Sequence, residues 1–202
     1  MKKKRIILSV LMVTMLLMPV GQAESESITQ FTFMDTITWD STPDEVESVL
    51  GDGVQRAEET DESIGTITVL QKDDISFAGY KCNKMTFLYY NSNLYGIGCF
   101  YTEVDVGDPD ALIEGLTKIY GIPKMYDSNH LTVDDLTSGT KTLCDWEIGD
   151  DTVIKVAQMN DAKTIFPKDE KSPYICFVSF VNTPVGKQLG ETVLKSETEP
   201  EK

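Results

Sequence analysis

Apolar and polar positions change period several times along this chain. Ile6 to Val20 is almost wholly apolar. From Phe31, the apolar residues Phe31, Phe33, Ile37 and Trp39 are interleaved with polar ones, the pattern of a short strand or extended lead-in. Thr42-Pro43-Asp44-Glu45-Val46-Glu47-Ser48-Val49-Leu50-Gly51 then predicts a short helix. Thr42 caps it, Glu45 completes a capping box, and Pro43 takes the first helical position, where its missing N–H costs nothing. Val46, Val49 and Leu50 form the inward stripe, and Gly51 supplies the left-handed stop. Residues 52–63 are polar and acidic and read as a loop.

Three strands are expected next: Gly65 to Gln71, Ser76 to Tyr90, and Leu94 to Thr102, the last two joined by a turn at Asn91-Ser92-Asn93. A tight hairpin there predicts that Met85, Phe87 and Tyr89 share a face with Gly96, Gly98 and Phe100. Cys82 and Cys99 then fall on the opposite face, near-diagonal to each other. A second helix begins with Asp108-Pro109-Asp110. Leu112, Leu116, Ile119 and Tyr120 recur at helical spacing, and Gly121 with Pro123 ends it. Gly115 inside this helix suggests close packing on a sheet.

Residues 124–139 read as a loop. Cys144, Trp146 and Ile148 alternate on one strand face, Gly149-Asp150-Asp151 turns the chain, and Thr152 to Ala157 runs back. Lys163 to Pro173 reads as a loop. Tyr174 to Val181 is apolar on both faces, which predicts a central or doubly covered strand. From Gly186 the chain turns polar and acidic, and residues 186–202 read as a disordered acidic tail. The order helix, three strands, helix, three strands predicts an α+β fold. It is expected as two αβββ-type units, spanning 31–104 and 105–185, that share an antiparallel sheet with two helices packed on it. Together they form a single globular domain over residues 24–185.

Charge adds a compartment to this picture. Lys2-Lys3-Lys4-Arg5, the apolar run and the small residues of Gly21-Gln22-Ala23 together read as a signal peptide over residues 1–23. The apolar run is shorter than the roughly 20 residues of a comfortable span, so no transmembrane segment is expected after cleavage. The product is expected to be secreted or extracytoplasmic. Residues 24–202 hold 14 Lys and Arg against 33 Asp and Glu, a net charge of −19, and Arg56 is their only arginine. A nucleic-acid partner is therefore not expected, because phosphates must be neutralised by basic side chains. Cys82, Cys99, Cys144 and Cys176 are candidate disulfide residues in an oxidising compartment, with three pairings open. None stands in a Cys-x-x-Cys arrangement.

Ile37-Thr38-Trp39-Asp40-Ser41 and the capped helix after it resemble a pattern in small exported bacterial proteins. There an aromatic residue or glycine precedes a helix reading Thr/Ser-x-x-x-Val-x-x-x-x-Gly. The stretch is similar to the SmpA/OmlA (BamE) family and to the β-lactamase inhibitor protein family, which share a small α+β fold. The inhibitor family is built from tandem units of helix and antiparallel sheet. Tyr120-Gly121-Ile122-Pro123 is similar to the helix end in related secreted proteins of uncharacterised function. The resemblance implies a non-enzymatic protein that binds other proteins through an open sheet face. It assigns no functional residue by position.

The chemistry-bearing residues agree with a non-enzymatic reading. His130 is the one histidine, so a Ser-His-Asp or Cys-His centre would have to use it, and a zinc site would have a single imidazole. Asp73-Asp74, Asp134-Asp135 and Asp150-Asp151 are adjacent pairs whose members point apart on a strand or sit in turns. Asp105-x-x-Asp108-x-Asp110 lacks the order and glycine of an EF-hand. No catalytic residue, cofactor site or metal site is expected. Tyr89, Tyr90, Tyr95 and Tyr101 cluster on two paired strands and are the candidate protein-binding residues. The expected function is an exported binding module contacting a protein or envelope component through its sheet face. A secreted carboxylate-dependent hydrolase and a passive envelope component are the alternatives.

Overall fold

The computed structural model describes residues 30–101, 109–127, 140–159 and 175–198. The leader at 1–23, His130 and the acidic residues Asp105, Asp108, Asp134 and Asp135 lie outside the described residues. Helix α1 spans Pro43–Leu50. Strands β1 (Gln55–Asp61), β2 (Gly65–Phe77), β3 (Tyr80–Tyr90) and β4 (Asn93–Tyr101) follow. Helix α2 (Pro109–Tyr120) leads to β5 (Lys124–Met125), β6 (Thr140–Ile148), β7 (Thr152–Met159) and β8 (Ile175–Asn182), and helix α3 (Thr183–Thr198) comes last. Among the described residues no helix is long and apolar enough to cross a membrane.

All the described strands form one antiparallel sheet in the order β1-β2-β3-β4-β8-β7-β6-β5. This corrects the expected pair of αβββ units. The sheet is continuous and has eight strands, three helices pack on it, and most of the described chain is strand. Two strands and one helix were not legible as such. β1 is almost wholly exposed, so the sequence Gln-Arg-Ala-Glu-Glu-Thr-Asp shows no apolar alternation, and the strand is held by its ladder to β2. The expected tail is instead helical from Thr183 to Thr198, and only residues 199–202 of it lie outside the described chain.

The signal for α3 was present: Asn182-Thr183-Pro184 repeats the cap-then-proline logic of α1. The Asn182 side-chain oxygen accepts from the Val185 N–H at 3.4 Å, and its Nδ2 donates to the Leu94 carbonyl at 3.3 Å. Val185, Leu189 and Val193 then recur every fourth residue. Gly186, Gly190 and the polar remainder hide this stripe, because they lower helix propensity without touching the packing face.

The sheet buries one face along its length and, under α3, part of the other. On one lies the main core. The N-terminal segment supplies Phe31, Phe33 and Ile37, α1 supplies Val46 and Leu50, and α2 supplies Leu112, Leu116 and Tyr120. They pack on Leu70, Phe87, Ile97, Trp146, Ile154, Val178 and Phe180 of the strands. Phe31 stacks on Trp39 at 4.4 Å, and Trp39 Nε1 donates to Thr152 Oγ1 at 2.6 Å. On the other face α3 seals a smaller cluster of Ile67, Leu88, Tyr90, Tyr95 and Leu189.

Two irregularities decide which side chains face which core. Asn91 (φ 47) and Ser92 (φ 67) are both left-handed, which gives the two-residue turn that suits strand twist. Directly after it the β3–β4 register shifts: Tyr89 pairs with Leu94 but Leu88 with Gly96, so Tyr95 is an inserted bulge residue. The bulge turns β4 over relative to the tight-hairpin expectation. Leu94, Ile97, Cys99 and Tyr101 join Met85, Phe87 and Tyr89 in the main core, and Gly96 and Gly98 move to the other face. There a Cβ on Gly98 would meet Thr86 Oγ1 at 2.9 Å and the Phe100 and Phe177 rings at 3.1 Å.

The sequence reading of Gly115 is realised differently from its letter: the close approach is to a turn rather than to a strand. A Cβ on Gly115 would lie 2.5 Å from the Ala78 carbonyl oxygen in the β2–β3 turn. Replacing Gly115 with Ala should therefore destabilise the fold by about 1–3 kcal/mol despite alanine's better helix propensity. Urea unfolding measures this, and an unchanged or raised midpoint would remove the close contact. Leu189 is 1% exposed, so Leu189→Ala should cost about 2–5 kcal/mol in the same assay. A loss below about 0.5 kcal/mol, the range of ordinary surface substitutions, would mean that α3 is not docked on the sheet.

Candidate functional site

The four candidate tyrosines are core residues. Tyr89 is 0% exposed, Tyr95 1%, Tyr101 1% and Tyr90 5%, so none offers a free contact surface. Tyr89 and Tyr101 lie in the main core, while Tyr90 and Tyr95 lie under α3. Tyr90 Oη donates to Thr192 Oγ1 at 3.4 Å. The hydroxyls of Tyr89, Tyr95 and Tyr101 find no hydrogen-bond partner among the described residues. Burial pushes all three phenols well above their ordinary range. Sequence alternation placed them on paired strands. It could not show that both sheet faces are covered.

The four cysteines are buried free thiols, all on the main-core face. Cys99 pairs with Val178, Cys176 with Tyr101, and Cys144 with Val156. Cys82 Sγ donates to the carbonyls of Lys84 at 3.0 Å and Phe100 at 3.5 Å. Burial pushes the Cys144 thiol up to about 12, with Asp145 adding to it, and pushes Cys176 up to about 12. Of the acidic pairs, Asp73 accepts from Gln71 Nε2 at 3.2 Å and Asp74 pairs with Lys81 at 3.0 Å. Asp150 and Asp151 sit in the β6–β7 turn, where Asp151 accepts from Thr152 Oγ1 at 2.8 Å and its carbonyl from the Thr183 N–H at 2.7 Å. These are structural contacts, and the topology does not gather them into one centre.

Outside both cores lies the region around α1 and β1. Helix α1 carries three stripes. Pro43, Val46 and Leu50 are buried. Asp44 and Glu47 face Arg56 on β1, and Glu45 and Val49 line an open cleft. Arg56 Nη1 bonds Asp44 Oδ1 at 2.8 Å and Glu47 Oε1 at 3.4 Å, and its Nη2 lies 3.6 Å from Glu58 Oε2. The hydrogen bond to Asp44 raises the guanidinium's pKa further. Three carboxylates thus surround one cation, and the corner keeps a negative excess to which Glu59 and Glu62 add. Lys72 on the neighbouring β2 donates to the Asp52 carbonyl.

The cleft encloses about 380 Å³ and is lined by Thr36, Ile37, Thr38, Asp40, Ser41, Glu45 and Val49. Its lip is the turn at Met34 (φ 49) and Asp35 (φ 63), closed by the Phe33–Ile37 bridge. Glu45 Oε2 accepts from the Thr42 N–H at 2.8 Å and from Thr42 Oγ1 at 3.0 Å. These bonds hold its carboxyl below the usual range.

Strand β1 is the end strand of the sheet. Its inner edge is fully paired to β2 from Gln55↔Gln71 to Asp61↔Gly65, and its side chains are exposed or half-buried throughout. No described strand pairs its outer edge. At the other end of the sheet β5 has only two residues.

No known protein family, curated protein or solved structure matches this chain. The buried thiols supply a pH test of the core. Cys144 and Cys176 ionise less readily folded than unfolded, so their contribution is intact below the ordinary thiol value of 9.0 and is lost as pH rises toward about 12. Each should remove up to about 1.4 kcal/mol of stability per pH unit within that window. Urea unfolding from about pH 8 to 11 should show a falling midpoint. A flat profile would contradict their burial.

Proposed function

We propose that this chain is an exported, non-enzymatic binding module whose contact surface is the outer edge of β1, flanked by the acidic stripe of α1. Its partner is a cationic, extended segment of an extracellular or envelope protein, added as a further strand. The observation that carries the reading is the long end strand of the sheet: seven residues, exposed or half-buried along its length and without a described partner on its outer edge. An unpaired edge offers a row of backbone donors and acceptors to an incoming strand.

Charge selects the occupant. Arg56 is already matched by Asp44, Glu47 and Glu58, so the flank attracts lysine and arginine and repels acidic chains. A second copy is disfavoured, because antiparallel pairing of β1 with itself about Glu58 would set like carboxylates opposite each other. The leader and the resemblance to exported binding families support the same class. The cleft is the feature nearest to a carboxylate hydrolase. Glu45 is displaced the wrong way for a general acid there, since its cap bonds lower its pKa.

A peptide alternating lysine and valine is the defined probe, with a glutamate–valine peptide as control. Hydrogen exchange of the mature chain should show alternate β1 amides slowed about tenfold or more by the lysine peptide. Salt should weaken this, and Glu58→Lys with Glu59→Lys should abolish it. No protection on β1 at millimolar peptide, or equal protection by the control, overturns the edge reading.

A further inference from the structure

We infer that α3 is a strap that opens as one unit about a hinge at Asn182–Thr183 and, while the sheet stays folded, uncovers an aromatic face carrying Tyr90 and Tyr95. The inference rests on no residue of β1 or α1 and is independent of the edge reading. Helix α3 is the least buried of the three. Helix α1 buries Pro43, Val46 and Leu50, and α2 buries Leu112, Ile113, Leu116 and Tyr120. In α3, among residues 183–196, Leu189 alone is buried; Val185 and Val193 are half-buried, and Leu194 is 64% exposed. An isolated helix of this length is marginal in water, so its persistence depends on that thin docking stripe.

The glycines of α3 weaken it further. At Gly98 and Gly115 packing demands glycine, because a Cβ would collide at 2.9 Å and 2.5 Å. At Gly190 a Cβ would meet nothing within 4 Å, and at Gly186 only Val181 Cγ1 at 3.6 Å, an ordinary contact. Neither residue has a positive φ. Neither space nor backbone conformation calls for glycine at these two positions, yet each lowers helix propensity. The helix is weaker than its site would accept.

The attachment is firm at the start of the helix. The Thr183 N–H and Oγ1 donate to the Asp151 carbonyl at 2.7 Å and 3.2 Å, and Asn182 Nδ2 donates to the Leu94 carbonyl at 3.3 Å. Farther along, Tyr90 Oη reaches Thr192 Oγ1 only at 3.4 Å, beyond the ordinary range for two hydroxyls. Beneath the helix the Tyr95 hydroxyl is buried without a described partner. Lifting α3 gives that hydroxyl water, which offsets part of the cost of exposing Ile67, Leu88 and the two rings. The main core lies on the opposite face of the sheet, and the β2–β3–β4 ladders are backbone bonds that α3 does not make. Opening therefore frees Tyr90 and Tyr95, while Tyr89 and Tyr101 of the same two strands stay enclosed.

Limited nitration of the full chain with tetranitromethane tests the strap against an internal control. Tyr95 and Tyr101 are equally buried, each 1% exposed, yet Tyr95 should be modified at least tenfold faster. Gly190→Ala should slow Tyr95 by about two- to fivefold, the difference in helix propensity between the two residues. Leu189→Ala should speed it by about tenfold or more. Hydrogen exchange in low urea reads the same motion without modification. Amides from Leu189 to Leu194 should exchange together, about tenfold or more faster than those of β3 and β4, and with a weaker urea dependence because little surface is exposed. Equal nitration of Tyr95 and Tyr101 overturns the strap. So does α3 exchange that shares the rate and urea dependence of the strands, or exchange that quickens residue by residue toward Thr198, which is fraying of an end.

Discussion

The pairing of β4 with β8 is the constraint on which the rest of the molecule depends. It joins Gly96–Tyr101 to Cys176–Val181 across some eighty residues of chain, a closure whose entropic cost must be met before the contact contributes. Without it the chain is two meanders, each with an exposed edge and half a core. With it, one sheet carries one continuous main core, and Phe180 of β8 packs against Phe31, Phe33, Phe77 and Tyr120 from three separate segments. The central position also explains the composition of β8, which is apolar on both faces because neither meets water.

Coverage of both sheet faces redirects the functional reading. A chain with one open face could use its aromatic residues for contact, as the sequence suggested. Here the N-terminal segment, α1 and α2 close one face, and α3 closes the β2–β4 part of the other. The tyrosines become packing material, and three of their hydroxyls are buried without described partners. Each such hydroxyl is a net cost, offset by the large apolar area of the ring. The backbone edge of β1 and the acidic stripe of α1 stay outside both cores. The charges there also guard the edge against pairing with a second copy.

The cysteines illustrate how a local defect decides which core a side chain joins. One bulge residue, Tyr95, reverses the face of every later β4 residue. One kink in β3 moves Cys82 to the face that the bulge has given Cys99. With neither irregularity the two cysteines would share the other face; either one alone would separate them, and both together return them to one face, that of the main core.

The sequence by itself determined the capped helix α1 and the helix α2 with their glycine stops, the Asn91–Asn93 turn, the doubly buried β8, and the acidity that disfavours nucleic acid. All of these are written in contiguous residues whose chemistry acts within one or two turns of chain. The tertiary structure alone decided that β1 is a strand, that residues 183–198 dock on the sheet, that the tyrosines are buried, and that Cys82 and Cys99 face the main core. These depend on register and on what covers each face. A period-two pattern reads the same after a one-residue slip, so only long-range pairing can choose between the two faces.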